Sequence, residues 1–434
     1  MNRRQFLATS AATLLLPPIA RARPALRLQA GPVIAHILPE GDPLTPLLGF
    51  NGSSPGPEIR ARQGDRLSIS FKNGSGLRST IHWHGIHIDN AMDGVPELTQ
   101  APVEPGDTFG YAFAVPDAGT YWYHAHHRSW EQVARGLYGP LIVEERKPPR
   151  VDRDITVVLD DWSLAPNGEL HDSFGNRHDF SHAGRMGNVA RALFSGETLR
   201  QGDRVRLRLI NAATARMFPV KIAGGSGKVV AHDGMPLAEP APLGATPLML
   251  APAQRTDIVL DVTGPVSFAL YTAQGYHGLG TIAVQGSNPA PIQTPIAPLP
   301  PARVQTPDSD GATRLDLVMQ GGAMGGRHGG SDFWAFNDRS GIHDAPWRRF
   351  ARGETARIAL HNDTSFPHGI HLHGHHFHEI REDGALGHYR DTTLVDPHGT
   401  RDILCVFDNP GRWLLHCHTL GHQASGMKTW VEVA

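Results

Sequence analysis

Cysteine is nearly absent: Cys405 and Cys417 are the only two in 434 residues, too few for the disulfide framework that staples small exported domains. Neither sign of charge dominates, with 40 Lys+Arg against 42 Asp+Glu and a formal net charge of -2. A chain without a basic face has no footprint for nucleic acid. Long hydrophobic runs are missing too. The apolar stretch from Phe6 to Ile19 is interrupted by Pro17 and Pro18 and falls short of the roughly 20 residues of a stable membrane span. No amphipathic helical stretch of any length competes with the strand signals. What the chain holds instead is 26 His, 48 Gly and 35 Pro, which points to an all-β protein with many turns and metal chemistry. Its length suggests two to three domains.

One pattern recurs three times. Gly64-Asp65 opens Arg66-Leu67-Ser68-Ile69-Ser70-Phe71-Lys72-Asn73, Gly202-Asp203 opens Arg204 to Asn211, and Gly353-Glu354 opens Thr355 to Asn362. Each copy is a turn glycine, an acid, and apolar residues at every second position, the alternation of a half-buried strand closed by an asparagine turn. Three homologous β-sandwich domains are therefore expected, over 23–146, 151–286 and 303–434. Lys147-Pro148-Pro149-Arg150 separates the first two, and a proline-rich linker over 287–302 separates the last two. Gly119-Thr120-Tyr121-Trp122-Tyr123-His124-Ala125-His126 aligns without a gap on Gly411-Arg412-Trp413-Leu414-Leu415-His416-Cys417-His418. The first and third domains thus share a terminal strand design, and the second, which has no such pair, is expected to take a structural role, with a substrate-shaping role as the second reading.

Four His-x-His pairs stand out: His82 with His84, His124 with His126, His371 with His373, and His416 with His418. Side chains alternate across a strand, so each pair sends two imidazoles to one face, where they can embrace metal ions. A single pair would also suit zinc. Between the last pair sits Cys417, which faces the opposite side, and a thiolate among imidazoles selects a soft or borderline metal such as copper. His368 upstream and His422 and Met427 downstream complete a two-His, one-Cys set with a weak axial thioether, the ligand set of a blue electron-transfer copper. At the equivalent place in the first domain stands Ala125, so the blue site belongs to the third domain alone.

These residues, His82-Trp83-His84-Gly85, His124-Ala125-His126, His368-x-x-His371-x-His373-Gly374 and His416-Cys417-His418 followed by His422 and Met427, resemble the four signatures of the multicopper oxidases. The likeness runs from about Gly31 to the C-terminus and is closest to three-domain bacterial laccase-type members. It implies three cupredoxin-like Greek-key β-sandwiches and four copper ions. By position, it implies a type 1 copper at His368, Cys417, His422 and Met427, and a type 2 copper at His82 and His371. One type 3 copper falls to His84, His124 and His418, the other to His126, His373 and His416, all at the interface of domains one and three. Electrons from a small reducing substrate then enter at the type 1 copper and pass through the Cys417 backbone to dioxygen at the other three. Asp93 resembles the family's proton-relay aspartate. Several bacterial members carry glutamate directly after the last type 1 histidine, where this chain has Gln423.

Other candidates are set aside. His375, His376 and His378 exceed the family's ligand sets and are read as supporting or satisfied polar groups, Cys405 as a buried apolar thiol, and Trp122 and Trp413 as core. The loop with His171, His178, His182, Arg185 and Met186 is read as solvated surface, with an overhang of the substrate entrance as the second reading. Among rivals, a division or scaffold relative would have lost copper ligands, and a copper nitrite reductase lacks four such pairs. For the donor, cuprous oxidation calls for a methionine-rich insertion, where only Met319 and Met324, beside the Gly-rich 321–330, come near. Manganese oxidation calls for surface carboxylates, and Glu382, Asp383 and Asp391 are a thin cluster. Phenols and aromatic amines are the expected donors, metal ions the alternative.

Residues 1–22 resemble a Tat export signal: Arg3 and Arg4 precede the apolar stretch, and Ala20-Arg21-Ala22 offers a small-x-small cleavage site. The expectation is a periplasmic protein without stable membrane insertion that meets the Tat translocase during export. Replacing Arg3 and Arg4 by Lys should leave precursor in the cytoplasm on fractionation, and normal periplasmic protein would contradict it.

Overall fold

The computed structural model describes residues 26–196, 198–323, 330 and 332–434. The export signal, Met324 and His328 lie outside them. Just over half of the described residues are strand, 51% against 4% helix, and no helix among them is long and apolar enough to cross a membrane.

Each of the three recurring segments becomes the same kind of strand. Arg66–Asn73 pairs in parallel with Leu26–Ala35 and antiparallel with Thr108–Ala114. Arg204–Asn211 lies likewise between Arg153–Trp162 and Arg255–Thr272, and Glu354–Asn362 between Thr313–Gly321 and Thr400–Phe407. The shared sequence features do shared work. At the start, the acid turns back on the chain: Arg62 N–H donates to Asp65, Arg200 N–H to Asp203 and Ala351 N–H to Glu354. At the end, the buried amides of Asn73, Asn211 and Asn362 each donate to a carbonyl of the loop that leaves the strand, Leu77, Arg216 and Phe366, and to carbonyls of a segment distant in sequence, Val103, Leu250, and Val395 with Asp396. A buried amide so bonded fixes the corner without an unpaired group.

The first sandwich packs the sheet around Arg66–Asn73 against a second of Ile59–Arg62, Tyr138–Glu144, Gly119–Ala125 and Ile81–His84. The third packs a six-stranded sheet against five strands that include His368–Leu372 and Gly411–Cys417. In the second, the long strands Phe218–His232 and Arg255–Thr272 carry one eight-stranded sheet from layer to layer. A single cluster of buried apolar side chains runs through the first and third sandwiches, from Leu28 to Val433, while the second keeps its own around Leu207, Leu209 and Phe268.

The half-buried reading fails in one copy. All of Arg204–Asn211 is buried. Its polar face is not solvated but turned toward the first sandwich, where Arg206 meets Glu145 at 2.8 Å and Arg208 meets Thr120 at 3.0 Å, while Asp257 and Asp154 of the two flanking strands pair with the same guanidiniums at 2.6 Å each. Alternation of apolar and polar residues marks two faces, not which of them sees water.

Histidine-bearing strands pair with each other. His82 stands opposite His124 in the first sandwich, and His371 opposite His416 in the third. The turn after Ile81–His84 returns closely enough that a Cβ on Gly94 (φ +79°) would lie 1.8 Å from the Ile81 carbonyl oxygen. Gly94→Ala should therefore lower the melting temperature and cost well over about 1 kcal/mol; an unchanged melting temperature would contradict this close approach.

Candidate metal centre

The four His-x-His pairs meet. His82, His84, His124 and His126 from the first sandwich and His371, His373, His416 and His418 from the third are all buried, with ring centroids 5.5 Å apart for His82 and His84, 5.1 Å for His84 and His418, and 5.7 Å for His126 and His416. Donor atoms within 4.8 Å of one another group His126 with His373 and His416, and His82 both with His371 and His373 and with His84 and His124. His418 lies 5.3 Å from His124, ring to ring.

Six of these rings are held from outside. Nδ1 of His82 and of His371 face the carbonyls of Asp93 and Asp391 at 2.9 Å, His124 and His416 use the carbonyls of Ala125 and Cys417 at 3.0 and 2.9 Å, and His373 Nδ1 faces the Asp93 carboxylate at 2.9 Å. His84 is turned the other way, with Nε2 on the Asp391 carboxylate at 3.2 Å. An oxygen acceptor outside puts the proton there and leaves the inner nitrogen with its lone pair. Inside, Nε2 of His82, His124 and His371, Nδ1 of His84 and both nitrogens of His126 and His418 have no hydrogen-bond partner, and His373 and His416 point Nε2 at each other across 3.0 Å. A buried polar atom left unpaired costs about 1–3 kcal/mol, so this set fits metal ions and little else. Burial holds His84, His124, His126, His373, His416 and His418 well below the usual imidazole range, which keeps the rings neutral, each with one nitrogen lone pair to offer.

Cys417 faces away from this cluster. Its Sγ lies 3.5 Å from His368 Nδ1 and 3.7 Å from His422 Nδ1, and those two nitrogens are 3.1 Å apart. Burial pushes the thiol up to about 12, so a thiolate here needs a cation beside it. His368 Nε2 is fixed at 2.8 Å by Thr364 Oγ1. Met427 is fully buried beside the group, its N–H bonded to His422 and its carbonyl to Cys417.

Asp93 is buried, with one carboxylate oxygen on His373 and the other 3.2 Å from His82 Nδ1. A cavity of about 220 Å³ reaches His126 and is lined by Glu97, Ser129 and Gln423, the last accepting a hydrogen bond from Ser129 Oγ at 2.8 Å.

Several residues fall where their sequence neighbourhood gave no sign. Asp391, read as a surface carboxylate, is wholly buried and lies behind the cluster, between His84 and the guanidinium of Arg255, which it meets at 2.5 and 2.9 Å. Arg255 also donates to the carbonyls of Thr120, Asp233 and Ala253, so one side chain of the second sandwich binds all three together. The Arg255 charge holds the Asp391 carboxyl well below the usual carboxylate range despite burial, which alone would raise it. The loop with His178 and His182 is likewise not plain solvated surface: the His182 carbonyl accepts from His422 Nε2 at 2.5 Å. Cys405 is a free, buried thiol, and His375 is satisfied by the His373 carbonyl and the Asn409 N–H. Trp122 packs beside His124 at 4.3 Å and Trp413 is buried over Gly374.

Removing one partner of a buried ion pair leaves the other charge stranded, at about 3–5 kcal/mol. Arg255→Met should lower the melting temperature sharply, and Arg255→Met with Asp391→Asn should recover part of the loss. A single variant that melts like the parent would show that the pair does not join the sandwiches.

Comparison with known proteins agrees with this geometry. Multicopper oxidase family models match residues 34–148, 153–290 and 319–434. The chain is 31% identical to the multicopper oxidase MmcO of Mycobacterium tuberculosis, over 90% of this chain and 84% of the relative. Among solved structures, Lac15 from a marine microbial metagenome is 53% identical with a TM-score of 0.82, covering 94% of this chain and all of its own (100%). A multicopper oxidase of Pseudomonas thermotolerans is 32% identical with a TM-score of 0.84, covering 94% and 99%. The chain, with its three cupredoxin-like sandwiches, belongs to the multicopper oxidase family, oxidoreductases that use four copper ions of types 1, 2 and 3.

Proposed function

We propose that this oxidoreductase is of the laccase type, taking single electrons from phenols or aromatic amines and reducing dioxygen to water. In this reading the type 1 copper is held by His368, Cys417, His422 and Met427, the type 2 copper by His82 and His371, and the type 3 pair by His84, His124 and His418 and by His126, His373 and His416. The observation that carries it is the set of inward imidazole nitrogens without partners, in a cluster two of whose rings, His416 and His418, stand one peptide link on either side of a thiol that belongs to a second centre. The chain is divided into domains at 23–146, 151–286 and 303–434, and it works in the periplasm after Tat export.

Copper supplies the one-electron steps and, as three ions together, the surface on which dioxygen is reduced. The protein supplies orientation and exclusion. The carboxylates of Asp93 and Asp391 and the backbone carbonyls of Asp93, Ala125, Asp391 and Cys417 set the tautomer of the inward rings they face, so their lone pairs are aimed before any ion arrives. Burial of every ring keeps bulk water out. Dioxygen reduction consumes protons, and Asp93 is the carboxyl that delivers them, between His82 and His373. The cavity at His126 is the approach for dioxygen. Gln423 there has no ionisable proton, so no second relay is assigned to it.

Relatives named Laccase-1 from Botryotinia fuckeliana and Copper resistance protein A from Pseudomonas syringae are 28% and 26% identical, so names alone do not choose the donor. Burial of Asp391 removes the best member of the carboxylate cluster that manganese oxidation would use. Oxygen uptake with a methoxyphenol, Cu(I) and Mn(II), run side by side on copper-loaded enzyme, should give the phenol the largest specificity constant; a metal ion far ahead of it would overturn the laccase reading. In the same enzyme Asp93→Asn should slow reoxidation by dioxygen while leaving reduction of the blue centre intact, and equal slowing of both would mark a structural lesion instead.

A further inference from the structure

An electron donor in solution has no direct access to His422. The side chain is 1% exposed. Nδ1 is turned inward to Cys417 and His368, Trp334 lies 4.1 Å from one ring face, and Nε2 is closed by the His182 carbonyl at 2.5 Å. That carbonyl belongs to a segment of the second sandwich pinned in place at several points. Asn176 caps the short helix Arg177–Ser181 by accepting from Asp179 N–H. The Phe180 carbonyl accepts from Trp334 Nε1 at 2.5 Å and Ser425 Oγ at 3.1 Å, and the Ser181 carbonyl from Ala323 N–H at 2.7 Å. The cap is part of the fold.

Outside the cap stand two imidazoles. His182 is half-buried, with Nδ1 3.0 Å from Ser181 Oγ. The ring of His178 stacks on it at 4.3 Å and 13°, and the His178 side chain is 74% exposed. A continuous sequence of close contacts therefore leads from solvent through the His178 ring, the His182 ring and its carbonyl to the Nε2–H of His422. Parallel rings offer faces, and their in-plane nitrogen lone pairs do not converge. Neither residue belongs to any group of three donors within 4.8 Å among the described residues.

We propose that the stacked His178–His182 pair is the docking platform for the electron donor, a planar aromatic molecule that lies on the outer face of His178. The assignment rests on the laccase reading and names the site at which that donor binds. Docked there, a phenol loses one electron toward His422 and its hydroxyl proton to bulk water, leaving a phenoxyl radical. The electron's acceptor would be the copper that His422 would hold in the proposed ligand set. Planar rings stack favourably on an imidazole face, as they do on other aromatic side chains.

His178→Ala should raise KM for a methoxyphenol roughly three- to tenfold with kcat nearly unchanged, and His178→Phe should restore it. The blue absorption and its reduction potential should not move, because His178 touches no proposed ligand. Ferrocyanide, which has no ring to stack, should be oxidised equally well by parent and variant. Independently of turnover, titrating the copper-free full chain with veratrole, a phenol ether, should shift the imidazole proton resonances of His178 and His182 saturably. If the parent does not oxidise the phenol at all, the laccase reading fails and the platform with it. If the parent oxidises it and His178→Ala leaves KM unchanged, or slows ferrocyanide equally, or if veratrole moves neither imidazole, the platform alone is overturned.

Discussion

Side chains on a strand alternate between faces, and on Gly411–Cys417 and its continuation that rule joins two chemical centres in three consecutive residues. His416 turns toward His126 and His373, His418 toward His84 and His124, and Cys417 to the other side toward His368 and His422. Any residue inserted or lost there would send the thiol and the imidazoles to the wrong faces at once. The equivalent strand of the first sandwich carries the same pair with Ala125 between, and the places of His368, His422 and Met427 are taken there by Ser79, Trp130 and Arg135, so one repeated strand design holds an imidazole pair in both sandwiches and a thiol centre in the third alone.

A cluster divided between two sandwiches is only as precise as their contact. The second sandwich, which contributes no histidine to it, supplies that contact through Arg255. A guanidinium buried there must be neutralised and fully hydrogen-bonded. It finds its partners in Asp391 of the third sandwich, Thr120 of the first and Asp233 and Ala253 of its own. Because Asp391 also receives His84, the electrostatic joint between the sandwiches and the orientation of an inward imidazole are one network. Arg206 and Arg208 repeat the device where the second sandwich meets the first.

Period-two hydrophobicity and the Gly-acid openings made the three sandwiches legible, since those features depend on local geometry that recurs with each copy. The inward set of imidazoles was legible for the same reason: two histidines on one face of a strand are a local fact. What escaped was non-local. Asp391 lies 136 residues from Arg255 and 307 from His84 in sequence, and nothing in Arg390-Asp391-Thr392 marks a buried ion pair. The carbonyl of His182 is a backbone atom, which no side-chain pattern reveals. The buried face of Arg204–Asn211 misled because a strand's polar face reads alike whether it meets water or another domain.

The central claim is that the imidazole cluster and the Cys417 centre are separate copper sites linked only through the chain. Copper content and absorption of purified, copper-supplied protein test it most directly, with Cys417→Ser beside the parent. The account predicts four coppers and a blue band in the parent, the complement of its family, and in the variant a colourless protein that keeps the cluster's three. A parent without the blue band, or a Cys417→Ser protein that stays blue, would contradict it.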